Sequence, residues 1–129
     1  MKFDVYNPYS NVSVTDYYVT VIERALVTAG YTVNKITELK KSSDNEGIVV
    51  VYPYDSYRAK KLGYKKVILW IQGLSPEESY MRNHSRIKKA VLSDKEYRGI
   101  CKADVILMVS AMMKQHYEKK YHLKFNDNV

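Results

Sequence analysis

Two neighbouring carboxylates stand out among the side chains able to move a proton. Glu77 and Glu78 follow Gln72-Gly73-Leu74-Ser75-Pro76, directly after the apolar run Val67–Ile71. A carboxylate at the end of a strand is placed to accept a proton from a hydroxyl, so both are candidate catalytic residues. The same stretch reads as a helix start, with Ser75 as N-cap, Pro76 in the first helical position and Glu78 three residues after the cap. Capping by itself accounts for Glu78; the cap has no need of Glu77. Beside them, Gln72 can bind a sugar hydroxyl or a phosphate, and Gly73 lets the backbone come close to a ligand.

Other chemistries find less support. The loop Asn7-Pro8-Tyr9-Ser10-Asn11 holds no glycine, so neither a dinucleotide fingerprint nor a P-loop can form after the first strand. Asn7 and Asn11 remain candidate ligand-binding residues there. His84, His116 and His122 fit no metal-ligand spacing, and Cys101 has no second cysteine, so no metal site and no disulfide is expected. Cys101 aligns with Ile87, Val91 and Tyr97 and is read as a core residue of its helix. No Ser/His/Asp set can be assembled. Ser110 precedes a helix and reads as its cap, a role compatible with binding an anion at a strand's carboxyl end.

Charge narrows the partners. Lys plus Arg number 21 against 14 acids, a formal +7, which favours anionic partners. The cations gather in two helical regions, around Arg58–Lys66 and around Arg82–Lys102. Arg86, Lys88, Lys89 and Lys95 are the candidate anion or membrane surface, because a basic amphipathic helix suits anionic lipid headgroups. Nucleic acid is disfavoured: tyrosines are plentiful, 13 in all, but no recognition motif organises them. The N-terminus lacks the layout of a signal peptide, and the apolar runs are far short of the ~20 residues of a spanning helix. A cytoplasmic protein, peripheral on the inner membrane face, is the expected location.

The elements that must position these residues follow from periodicity. Strands are predicted at Lys2–Tyr6, Tyr31–Thr37, Ile48–Tyr52, Val67–Ile71 and Val105–Val109. Helices are predicted behind Ser13-Val14-Thr15-Asp16, with Val14, Tyr18, Val21, Ile22, Ala25 and Ala29 as the apolar face, and over Tyr54–Leu62. A further helical stretch spans Ser75–Ala103, with a break near Asn83-His84, and the last helix follows Ser110. Gly30 and Gly63 mark helix stops. Alternating strands and helices at 129 residues imply one α/β domain, a Rossmann-like three-layer sandwich on a parallel sheet of about five strands. Ligands then bind outside the carboxyl ends of the strands.

From Lys66 to Tyr121 the chain resembles the N-terminal half of bacterial two-domain GT-B glycosyltransferases of the retaining group 1 (family 4) type, those of polysaccharide biosynthesis. Two motifs carry the resemblance: Trp70-Ile71-Gln72-Gly73-Leu74-Ser75-Pro76-Glu77-Glu78-Ser79, and, beyond a basic helix, Lys102-Ala103-Asp104-Val105-Ile106 running on to Val109-Ser110 and Met113-Lys114. The resemblance implies an acceptor-binding domain spanning 1–129, with Gln72 to Glu78 and Ser110 facing the cleft. It also implies that the nucleotide-sugar donor is held mainly by a second, absent domain and that no cofactor resides in this chain. The acceptor would be a saccharide or lipid-linked saccharide, and the domain would be inactive alone. The chain departs from the family in having no glycine-rich first loop, and Gln72-Gly73 where a histidine is common. A stand-alone Rossmann-like interaction module binding an anionic ligand or partner without catalysis is the alternative.

Overall fold

The computed structural model describes residues 2–8, 13–41, 46–50, 53–71, 75–108 and 110–125, with backbone alone at 13–15, 50 and 75. Among the described residues the chain runs β1 (Lys2–Tyr6), α1 (Ser13–Thr28), β2 (Thr32–Ile36), β3 (Gly47–Val50), α2 (Pro53–Lys61), β4 (Lys66–Ile71), α3 (Ser75–Asn83), α4 (Arg86–Lys102), β5 (Val105–Met108) and α5 (Ala111–Tyr121), with no helix between β2 and β3 and two between β4 and β5. The strands form one parallel sheet in the order β2-β1-β3-β4-β5. The expected α/β class and parallel five-stranded sheet are therefore observed.

Strand alternation sorts the apolar side chains between two layers. Phe3, Val5 and Val49 point to the face covered by α1, where Val19 and Ile22 meet them. Tyr6, Ile48, Val67, Leu69, Ile71 and Ile106 point to the opposite face and pack with Ala59 of α2, Ile100 of α4 and Tyr117 of α5. β3, β4 and β5 read as near-continuous apolar runs because a parallel sheet is covered on both faces, whereas β2, at the edge of the sheet, carries Asn34 and Lys35 and is largely exposed. Cover is thinner at one end: Leu107, in register with Trp70 on the α1 side of the sheet, is 38% exposed.

Local signals stop the helices where chain chemistry predicts. Gly30 and Gly63 take φ of +92° and +97° behind α1 and α2, the left-handed conformation that closes a helix. The break between α3 and α4 falls at His84, which also has positive φ; the Asn83 carboxamide accepts the Ser85 N–H at 2.9 Å, and Ser85 then caps α4 by accepting from the Lys88 N–H at 3.2 Å. Ser110 caps α5 as predicted, its hydroxyl accepting the Met113 N–H at 3.1 Å.

Two sequence expectations are corrected. Cys101 is exposed, and so are Ile87, Val91 and Tyr97, with which it was aligned as core. The inward face of α4 is formed by Glu96, Gly99 and Ile100. Gly99 decides this phase: a Cβ there would lie 1.6 Å from the Pro53 carbonyl oxygen, so α4 lies backbone against backbone on the start of α2, and only glycine fits. In α1 the buried positions are Val19 and Ile22, while Val21, Ala25 and Ala29 are exposed. The helix is rotated toward Val19 because β1 and β3 lie beneath it.

Candidate functional site

The carboxyl ends of β1 and β2, together with the first turns of α1, enclose a cleft of about 360 Å³. Among the described residues its polar lining is Asn7, Asp16, Thr20, Lys35 and Thr37. Asn7 follows β1 immediately and is 6% exposed. Its backbone N–H donates to the Ile36 carbonyl at 2.9 Å, extending the β1–β2 ladder by one bond beyond the strand. Its carboxamide nitrogen donates to the Asp16 carboxylate at 3.0 Å. The Thr20 hydroxyl donates to the Asp16 carbonyl at 2.9 Å, and Lys35 reaches the Glu23 carboxylate at 3.2 Å. A cleft of this size falls in the range of small-ligand sites. It opens on the β2 side of β1, one strand from the reversal of order between β1 and β3 where sheets of this kind bind ligands.

A second polar assembly joins α3, α4 and α5. Glu77 lies in the first turn of α3, and the Lys120 ammonium donates to its Oε1. The same ammonium is 3.7 Å from Oε1 of Glu96, and His116 Nε2 is 3.6 Å from Glu77 Oε1. Glu96 is fully buried, which a glutamate tolerates only when partnered. It accepts from the Tyr117 hydroxyl at 3.1 Å and from the Tyr121 hydroxyl at 2.5 Å. Glu77 Oε2 and His116 Nε2 are buried without a hydrogen-bond partner.

Electrostatics separates the two carboxyls. Burial alone would push Glu77 up, but the Lys120 ammonium, its own backbone N–H and nearby His116 outweigh that and hold it below the ordinary glutamate range. Burial pushes Glu96 up, and Tyr121, Lys120 and Tyr117 offset this only in part. A carboxylate held low is a weak proton acceptor, so the ion pair with Lys120 works against Glu77 as a general base. What the arrangement does hold is α5 against the start of α3, through one ammonium shared by two carboxyls.

The remaining candidates are scattered. Asn7 lines the cleft, whereas Asn11, Gln72 and Gly73 lie outside the described residues. Glu78 points to solvent, and the Ser75 side chain is not described. Ser110 caps α5. Arg86, Lys88 and Lys95 are exposed; Lys89 is half-buried, its ammonium 5.3 Å from the centre of the Tyr80 ring. Asp104, in the second of the two motifs, lies at the amino end of the sheet, where it accepts the Val67 N–H at 2.7 Å and pairs with Lys60 at 2.6 Å. It fastens β5 to β4 at the end away from the cleft.

Sequence reasoning missed Asp16, Thr20, Lys35 and Thr37 as cleft residues, and Glu96, His116 and Lys120 as a cluster. The cleft residues come from three elements and share no motif. Glu96 had one available signal: it lies three and four residues before Gly99 and Ile100, on the same helical face as the glycine that marks the packed side.

Among the described residues no group of three or more His, Cys, Asp or Glu side chains is placed to hold a metal ion. The fold and the cleft together define a Rossmann-like α/β protein with a polar cleft at the carboxyl edge of its sheet. Comparison with protein-family models, with curated proteins and with solved structures finds no match to this chain.

Proposed function

We propose that the chain is the acceptor-binding half of a nucleotide-sugar-dependent glycosyltransferase, and that the cleft beside Asn7 takes the acceptor saccharide. The observation that carries this reading is the lining of that cleft. Asn7, Asp16, Thr20, Lys35 and Thr37 offer amide, carboxylate, hydroxyl and ammonium groups at the carboxyl end of a parallel sheet. A sugar presents hydroxyls that both donate and accept, and a mixed lining of this kind answers them. The Asp16–Asn7 hydrogen bond fixes the amide before a ligand arrives, which lowers the ordering cost of binding. The two motifs flanking α3 and β5 add the sequence resemblance.

In this reading a second α/β domain grips the donor, and catalysis consists largely of bringing donor and acceptor together. The chain alone binds acceptor without transferring sugar to it. The test is an amide NMR titration with glucose, galactose, N-acetylglucosamine and their disaccharides. Shifts at Thr20, Lys35 and Thr37 that disappear in Asp16→Ala are expected. Saturation with every sugar in the set without a response around the cleft refutes the proposal.

A second reading, an interaction module without catalysis, is favoured by the thinly covered end of the sheet. Leu107 is exposed there, and on α1 so is Val21. A partner protein that shifts the amides of β5 and leaves the cleft silent would select it.

A further inference from the structure

The outward face of α4 combines cations with apolar side chains that the fold leaves unused. Ile87 is 80% exposed and Val91 49% exposed, one turn apart on the same stripe. Lys95, Arg98 and Lys102 continue that stripe at helical spacing, and Arg86 and Lys88 flank its start; all five cations are exposed. Opposite them, Glu96, Gly99 and Ile100 are buried against the rest of the domain, so the stripe has no neighbour within the described fold.

The charge on this face is one-sided. Of the two acids in α4, Glu96 is fully buried, and Asp94 is engaged with Arg98 at 3.2 Å. Arg86, Lys88, Lys95 and Lys102 have no acidic partner among the described residues. A helix of 17 residues is about 25 Å long, and no helix among the described residues is long and apolar enough to cross a membrane. On a bilayer surface the two exposed apolar side chains would reach the acyl boundary and the long basic side chains the headgroups.

We propose that the outward face of α4 docks on an anionic membrane, with Ile87 and Val91 entering the interface and Arg86, Lys88, Lys95 and Lys102 meeting phosphate headgroups. Charge complementarity selects the occupant: a second copy would bring like charge against like, whereas an anionic bilayer supplies both the negative charge and the apolar layer this face matches. The inference rests on α4 alone and stands or falls independently of the saccharide reading.

The experiment is co-sedimentation of the full chain with vesicles of phosphatidylcholine alone and of equal parts phosphatidylcholine and phosphatidylglycerol. Binding to the anionic vesicles only is expected. The double change Lys88→Ala and Lys95→Ala should weaken it about 30-fold, since each basic residue near the surface is worth roughly a fivefold change in affinity. Ile87→Ser with Val91→Ser should weaken it by about tenfold or more. Lys119→Ala, on the exposed side of α5, should leave it unchanged. All five positions are exposed, so each variant should keep the wild-type urea midpoint. Absence of binding to the anionic vesicles overturns the proposal. So does binding unmoved by the Ile87 and Val91 changes, which marks plain electrostatic adsorption, and so does equal affinity for a DNA duplex at the same salt.

Discussion

Gly99→Ala isolates the contact that sets the orientation of α4. In an exposed helix interior the change would stabilise by about 1 kcal/mol, because alanine is the better helix former. Here the new methyl would lie 1.6 Å from the Pro53 carbonyl oxygen and 2.5 Å from its carbon. Both atoms are backbone at the start of α2, so no rotamer change relieves the contact and the two helices must part by roughly 1.4 Å. That separation loosens Ile100 and Ala59, which share the core beneath the two helices. Overpacking of a close-packed site costs about 1–3 kcal/mol, occasionally more, and an unyielding backbone neighbour places this case at or above the top of that range. After the gain in helix propensity, the variant should unfold with about 2 kcal/mol less free energy. In urea the midpoint should fall by about 0.7–2 M, given slopes of roughly 1–3 kcal/mol per M. A Gly99→Ala protein as stable as the wild type, or more so, would mean that α4 does not lie on α2 in this phase, and the outward assignment of Ile87 and Val91 would fall with it.

Two further predictions concern the helix ends and the charge cluster. Ser110→Ala removes the acceptor of the Met113 N–H and should cost about 1 kcal/mol, while Ser110→Asp, which keeps a capping oxygen, should cost much less; urea midpoints compare them. In the pH dependence of stability the two carboxyls beside Lys120, Glu77 and Glu96, act in opposite directions. Glu77 is held low by Lys120, and Asp104 by Lys60 and the Val67 N–H against the opposing effect of burial. The stability these two contribute is present above the unfolded carboxylate range and is lost as pH falls through their folded values. Glu96, pushed up by burial, contributes stability that is full below the unfolded value and is lost as pH rises through the folded one. Glu96→Gln should therefore remove the decline on the rising-pH side while leaving the acid limb in place. Urea midpoints that change in parallel with the wild type at every pH would show that Glu96 does not titrate in this way.

Much of the architecture is legible from short-range chemistry. The β-branched runs at Val67–Ile71 and Val105–Met108 fit strands, and Gly30 and Gly63 stop helices because glycine alone takes a left-handed conformation without cost. The Asn83-His84 break is readable because an asparagine favours the turn that lets Ser85 begin a new helix. Helix starts differ by a residue at α2, which begins at Pro53, a residue whose fixed φ suits the first turn.

The helix faces and the site were not legible in the same way. Periodicity aligns Ile87, Val91, Tyr97 and Cys101 as the inward stripe of α4, whereas the residues that pack are Glu96, Gly99 and Ile100. The choice belongs to the close approach at Gly99, which depends on a helix more than 35 residues earlier in the chain. The same rotation brings Glu96 into the core beside Lys120 and turns a neighbouring acid, Asp94, to the surface. Glu77 was singled out by its place at the end of a strand, but its ionisation is governed by Lys120, 43 residues later.

By itself the sequence determined the succession of strands and helices, the parallel sheet implied where helices connect the strands, the lack of a glycine-rich phosphate loop after the first strand and the surplus of positive charge. These are properties of local conformational preference and of counting, and they need no knowledge of what lies next to what. Only the tertiary structure decided that Asn7, Asp16, Thr20, Lys35 and Thr37 share one cleft, that Glu77 and Glu96 share one ammonium, and that the cations of α4 stand beside exposed Ile87 and Val91. Each of these rests on contacts between separate elements, and the packing of backbone against backbone fixes which side of a helix makes them.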